Sequence, residues 1–206
     1  MKYLFIDSAT ANLVVAIVID GKIVYLYDNN DGNDTSSKLM PIIEKAFNES
    51  GISPKDLNKI FAVTGPGSFT GIRVGLAVAK TMAWATGVPV VPISSLEVIA
   101  SSGNEDNNIA LIDARRGYVY AGGYDKDLNV TFKDAHVFLN DSNLSGNFIS
   151  YDNFDFDTTK PNIDILKVIK KHLNDASVNP HELNPNYLKL TEAEENLKKK
   201  NGSKDK

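Results

Sequence analysis

The chain contains no cysteine, which excludes disulfides and thiolate metal sites. Histidine is scarce. His136, His172 and His181 are scattered through the second half, too far apart in sequence to read as a metal or catalytic cluster. Each is expected to be a surface or structural residue, and no metal site is expected. Ser68 sits in Gly-Pro-Gly-Ser-Phe, not in the G-x-S-x-G elbow, and no Ser-His-Asp pattern accompanies it. No catalytic residue is therefore assigned. Positive charge is also in short supply. With 22 basic and 26 acidic residues the net charge is −4, a poor balance for an autonomous nucleic-acid binder. No uncharged apolar run reaches the ~18–20 residues of a membrane span. The opening MKYLFIDSAT lacks a signal-peptide layout, so a cytoplasmic location is the default expectation.

What is present is a soluble composition, 42% hydrophobic over 206 residues, and one dominant stretch. Ile60 to Gly87 reads as a strand, a glycine turn and a long apolar helix. That order commonly presents backbone amides to an anion. Asp7, Gly65, Gly67, Ser68 and Thr70 are thus candidate nucleotide- or anion-facing residues. The glycine spacing nevertheless misses the dinucleotide fingerprint, and the Lys-Ser/Thr pair of a P-loop is absent. A tight turn with Ser68 or Thr70 capping the helix explains the same residues.

From Gly71 to Gly87 only Arg73 and Lys80 are charged, so the helix is expected to be covered on more than one side. Gly71, Gly75, Ala79, Ala83 and Gly87 recur every fourth residue and predict a flat stripe suited to close approach by another helix. A subunit interface is the resulting expectation. Arg73 could reach a phosphate or a partner's carboxylate, or form a surface ion pair.

The rest of the first half reads as strands at 3–6, 13–19 and 23–27, with Asp20-Gly21 as a hairpin turn. A helix follows with Leu39, Ile42, Ile43, Ala46 and Phe47 on one face, its caps offered by Thr35, Ser36 and Ser37. Further on come a strand over 88–93 and a helix over 95–100 opened by a Ser94–Glu97 capping box. Residues 101–108 form the linker, dividing the chain into 1–102 and 103–206. The second half reads as strands at 109–112, 118–124, 130–139 and 148–151. A helix around Ile163–Leu173, an extended 180–185, a terminal helix over 191–200 and a disordered basic end complete it. Strand, Asp7, turn, strand, Asp20 is echoed by strand, Asp113, turn, strand, Asp125. This layout predicts a duplicated unit whose acids either hold Mg²⁺ or simply cap turns.

The pieces LFIDSAT, KLMPIIEKAF, AVTGPGSFTGIRVGLAVAKTMAW and PISSLEVIA, then LIDARRGYVY and PNYLKL, closely resemble the TsaB (YeaZ) family. The resemblance implies an α/β, duplicated actin-like (ASKHA, ribonuclease H-like) fold: two subdomains, each a mixed β-sheet flanked by helices, the second one trimmed. It further implies a non-catalytic subunit of the complex that installs threonylcarbamoyl on adenosine beside the tRNA anticodon. Its partners would be the paralogue TsaD, the ATPase TsaE and, indirectly, tRNA, with a homodimer when alone and no membrane. No intrinsic cofactor is implied; ATP or ADP would lodge only at the complex interface. Pairing would use the first two helices, here Leu39, Ile42, Ile43, Ala46 and Phe47 with Gly71, Arg73, Val74, Gly75, Val78, Ala79, Met82 and Ala83. Two departures from the family pattern are Thr35-Ser36-Ser37 before Leu-Met-Pro and Tyr118 after Ala-Arg-Arg-Gly. The alternative reading is a stand-alone ATP-dependent small-molecule kinase or hydrolase of the same fold.

Overall fold

A computed structural model describes residues 1–10, 12–29 and 35–188. The first half builds a five-stranded sheet from β1 (Lys2–Asp7), β2 (Leu13–Ile19), β3 (Lys22–Asn29), β4 (Lys59–Gly65) and β5 (Val90–Ser94). Their order is β3-β2-β1-β4-β5. The first three strands form an antiparallel meander because Asp20 and Gly21 take φ of 49° and 77°, the left-handed pair that a two-residue hairpin requires. β4 and β5 then add in parallel, each reached through a helix. These helices are α1 (Thr35–Ser50) and α2 (Phe69–Thr86), both packed on the sheet. α1 starts at Thr35, so the three hydroxyl residues occupy its first turn.

The second half repeats the plan. β6 (Asn108–Asp113), β7 (Tyr118–Tyr124) and β8 (Val130–Phe138) form an antiparallel meander, and β9 (Asn147–Ile149) pairs in parallel with β6. The order β8-β7-β6-β9 matches β3-β2-β1-β4 position for position. In place of a counterpart to α1, a single 3₁₀ turn, Leu139–Asp141, links β8 to β9. Between the halves lies α3 (Ser95–Ala100), every residue of it buried and in contact with β4, β5, β6 and β7. One core cluster consequently runs across both halves, joining Phe5, Phe61 and Leu96 to Ala110, Tyr124 and Ile149.

α4 (Ile165–Lys171) packs on α3 through Ile165, Val168 and Ile169. The chain then crosses back to the first half. Lys59 Nζ donates to Leu173 O at 2.7 Å, Val178 N to Val90 O at 3.0 Å and Asn186 N to Thr64 O at 2.8 Å. Segment 180–185, expected to be extended, contains the 3₁₀ turn Pro180–Glu182. The terminal helix and disordered end expected over 191–206 lie outside the described residues. No helix among the described residues is long and apolar enough to cross a membrane.

Candidate functional site

A cleft of about 750 Å³ opens between the two halves. Its walls are the start of α2 (Ser68–Gly71), Thr10, the Asp113–Arg115 turn, Tyr120, Tyr151 and Asp152. The glycine turn shapes one wall. Gly65 and Gly67 take φ of 106° and 149°, outside the comfortable range of other residues. A Cβ on Gly67 would stand 2.0 Å from Ala9 O, and one on Gly71 would stand 2.0 Å from Ser8 O. The turn after β1 therefore fills the space that the glycines leave. Ser68 N donates to Ala9 O at 2.7 Å, and Ser8 Oγ donates to Gly71 O at 2.8 Å. Ser68 is the N-cap of α2, its Oγ accepting from Gly71 N at 3.2 Å. Thr70 stands exposed in the helix's first turn and lines the cleft.

Asp7 is buried at the tip of β1, its Oδ1 accepting from Ala9 N at 2.8 Å. Burial pushes its carboxyl up to about 7; the Ala9 hydrogen bond resists this, and the Asp28 charge adds to it. The same turn recurs at Asp113, whose Oδ1 accepts from Arg115 N at 2.8 Å. Both repeated acids thus cap turns with identical i to i+2 geometry. They differ in setting: Asp113 is exposed, and its own amide donates to Asp152 at 2.8 Å. Among the described residues no three metal-ligating side chains gather in one place.

The expected interface residues divide sharply. Gly71, Gly75, Ala79 and Ala83 are buried on the chain's own first half, and Leu39, Ile42, Ile43, Ala46 and Phe47 sit in its core. This corrects the stripe expectation. The small residues admit the chain's own Ser8–Ala9 turn and sheet rather than a partner's helix: a Cβ on Gly75 would stand 2.1 Å from Ser8 Oγ. Gly87 leaves the stripe altogether and ends the helix in the left-handed region, its N–H on Ala83 O. The opposite face of α2 is open. Trp84 is 71% exposed and Phe69 56%, with Ala77 and Thr81 between them and Val74, Val78 and Met82 half-buried at its side. Arg73 lies on this face too, its guanidinium 3.8 Å from the centroid of the Phe69 ring and its Nε donating to Tyr187 OH at 2.8 Å. Within the chain it makes a cation–π contact and a hydrogen bond, a pairing none of the sequence readings offered.

These features can be set beside known proteins. Residues 33–137, about half of the chain, match the family model for TsaD, tRNA N6-adenosine threonylcarbamoyltransferase. The chain is 31% identical to the tRNA threonylcarbamoyladenosine biosynthesis protein TsaB of Bacillus subtilis, over 94% of this chain and 96% of that protein. It belongs to the TsaB family. The Escherichia coli protein of the same name is 33% identical over 63% of this chain and 57% of its own length. The solved structure of YeaZ from Pseudomonas aeruginosa superposes with a TM-score of 0.77 at 19% identity, covering 91% of this chain and 99% of that one. The duplicated α/β fold, with two mixed sheets flanked by helices, is thereby the family's fold.

Two contacts escaped the reading of the sequence. Glu97 does not complete a capping box; Ser94 Oγ accepts from Leu96 N at 3.2 Å, while Glu97 Oε2 meets His172 Nε2 at 2.9 Å. Asp175 holds the other ring nitrogen at 2.6 Å. Burial pulls the His172 pKa down, but these two carboxylates more than offset it and hold the imidazole above its ordinary value. The second contact is Tyr187, stacked on Phe69 with 5.6 Å between ring centroids. Neither is visible in local sequence, because the partners are far apart along the chain.

Proposed function

We propose that this chain serves tRNA threonylcarbamoyladenosine biosynthesis as a non-catalytic subunit. It pairs with TsaD through the outer face of α2, and the pair offers a docking site to the ATPase TsaE. Alone in the cytoplasm, the same face closes a homodimer. Any ATP or ADP belongs to the assembled complex rather than to this chain by itself, and tRNA is met through the complex.

The observation that supports this reading is the exposed run Ala77, Thr81 and Trp84, continued by the partly covered Phe69, on a helix whose opposite side is fully engaged. A large indole standing in water beside small and apolar neighbours is the composition of an interface centre. The alternative of a stand-alone kinase or hydrolase finds less support. One amide of the glycine turn, Ser68 N–H, is already given to Ala9 O, so the chain's own backbone takes one position a phosphate would need.

Trp84→Asp with Ala77→Asp tests the proposal, since both side chains are exposed and the fold does not depend on them. Sedimentation should show a dimer for the native chain and a monomer for the variant. Co-purification with tagged TsaD should fall at least ~30-fold, the equivalent of losing one interface hot spot of about 2 kcal/mol. A folded variant that still pairs like the native chain refutes it.

A further inference from the structure

After β6 the chain takes three successive residues in the left-handed region: Arg115 (φ 66°), Arg116 (φ 56°) and Gly117 (φ 78°). For a residue with a Cβ this costs about 1–2 kcal/mol. The surroundings impose it from several sides. Asp113 holds Arg115 N, Ala114 N donates to Tyr118 O at 3.0 Å, Tyr118 N donates to Arg115 O at 3.1 Å, and Leu139 N donates to Gly117 O at 2.9 Å. Gly117 also lies directly on Phe138, where a Cβ would come within 2.8 Å of the ring. Nothing in this backbone calls for arginine; asparagine or glycine would adopt it at lower cost. Both arginines are exposed, and among the described residues neither guanidinium has a partner. Strain held in place at a surface turn, carrying two unpaired cations, is the mark of a contact made with something else.

Beside the turn stands an aromatic stack. Tyr118, 41% exposed, lies parallel to His136 with 4.8 Å between centroids and 7° between planes. Phe138, 37% exposed, meets Tyr118 at 5.2 Å, and Tyr120 tilts against the same histidine at 5.3 Å. The carboxylates of an acidic protein segment would pair with the arginines but gain nothing from the negative face of the ring. An RNA strand uses both, with phosphates on the guanidinium groups and an unstacked base on the ring. We infer that Arg115, Arg116 and Tyr118 form an RNA-contact surface that takes a single-stranded or looped-out base of tRNA on Tyr118 and its flanking phosphates on the two arginines. The inference rests on the proposed role in tRNA modification and adds the surface by which this subunit touches the substrate. The overall charge of −4 fits a local contact, with most of the affinity supplied elsewhere in the complex.

The test uses the full chain with TsaD from the same organism and fluorescently labelled unmodified tRNA, read by anisotropy over a salt series. Arg115→Asn with Arg116→Asn keeps a residue that tolerates the left-handed region and removes both charges. It should weaken binding about 10-fold near physiological salt and flatten the salt slope by about 1.4, two single-strand phosphate contacts. Lysine at both positions should restore the slope. Tyr118→Leu should weaken binding about 5- to 100-fold with the slope unchanged, as loss of one stacked base predicts. Lys22→Asn with Lys55→Asn, the same charge loss at distant exposed sites, should change neither. Co-elution with TsaD is measured separately for every variant. Native-like affinity and slope in the arginine and tyrosine variants overturns the inference. So does loss of TsaD co-elution with tRNA binding intact, which would make the turn a protein interface. If the native chain does not pair with TsaD, the proposed function fails; the RNA contact is then read by ultraviolet crosslinking of the same tRNA to the chain alone. An adduct on Tyr118 supports it and its absence refutes it.

Discussion

A single methyl group at Gly75 sets two effects against each other. Gly75→Ala should gain about 0.5–1 kcal/mol, because alanine favours a helix interior over glycine. The new Cβ, however, would stand 2.1 Å from Ser8 Oγ, where ordinary contact begins near 3.4 Å. The hydroxyl must swing away by more than an ångström. That breaks its 2.8 Å hydrogen bond to Gly71 O in a buried setting. Lost hydrogen bonding at about 1–3 kcal/mol and overpacking at about 1–3 kcal/mol outweigh the helix gain, leaving a net loss of about 1–5 kcal/mol. The cycle closes with Ser8→Ala. Without the hydroxyl, the nearest atoms to the new methyl are the residue-8 Cβ at 3.4 Å and Ile6 Cγ2 at 3.7 Å, both ordinary contacts. In that background Gly75→Ala should be neutral or stabilising by up to about 1 kcal/mol. Urea denaturation followed by circular dichroism on the four chains gives the coupling directly. An equal penalty in both backgrounds would refute the packing argument, and so would stabilisation of the native chain by Gly75→Ala. The folded variant should sediment like the native protein, because the altered stripe faces inward.

Two further predictions concern pH. Asp7 has its native value raised from 3.8 to about 7 by burial, so its contribution is fully present below its unfolded value and is lost as pH rises through the native one. Stability carried by this group should fall by about 1.4 kcal/mol per pH unit within that window. Asp7→Asn keeps an oxygen for Ala9 N–H and removes the charge, so it should be more stable than the native chain at pH 8 and gain little at pH 4; a less stable variant at pH 8 would contradict this. For His172, held above its ordinary 6.5 by Glu97 and Asp175 against the pull of burial, stabilisation is complete below the ordinary imidazole range and disappears as pH rises past the raised value. His172→Gln should therefore lower the melting temperature more at pH 6 than at pH 9, and an equal drop at both would count against a stabilising charge on His172.

Much of the first half was legible because its signals are local. Asp20-Gly21 fixes the hairpin, Ser68 caps α2, and the paired Asp7 and Asp113 mark a repeat that the two strand orders bear out. The face of α2 was not legible. A helix apolar nearly all round has no polar side to orient it, and glycines spaced every fourth residue suit an approaching helix or an approaching turn equally well. Only the position of Ser8 decides, and it lies far upstream. Glu97 misled for a related reason: three residues after a serine it matches a capping box, yet His172 competes for its carboxylate from another helix. The absence of a helix between β8 and β9 was legible, because the polar stretch between the two strands is too short to hold one.

The return of residues 173–188 to the first half has a consequence for how the protein is made. β5 meets Val178, and the end of β4 meets Asn186, only after nearly everything between them has been synthesised. During translation the first sheet would leave the ribosome with a bare edge, the kind of exposed backbone that recruits stray strands. Release of the final segment places a bridge on that edge at Val90, so a nascent chain stalled before Val178 should depend on chaperones more than the finished one.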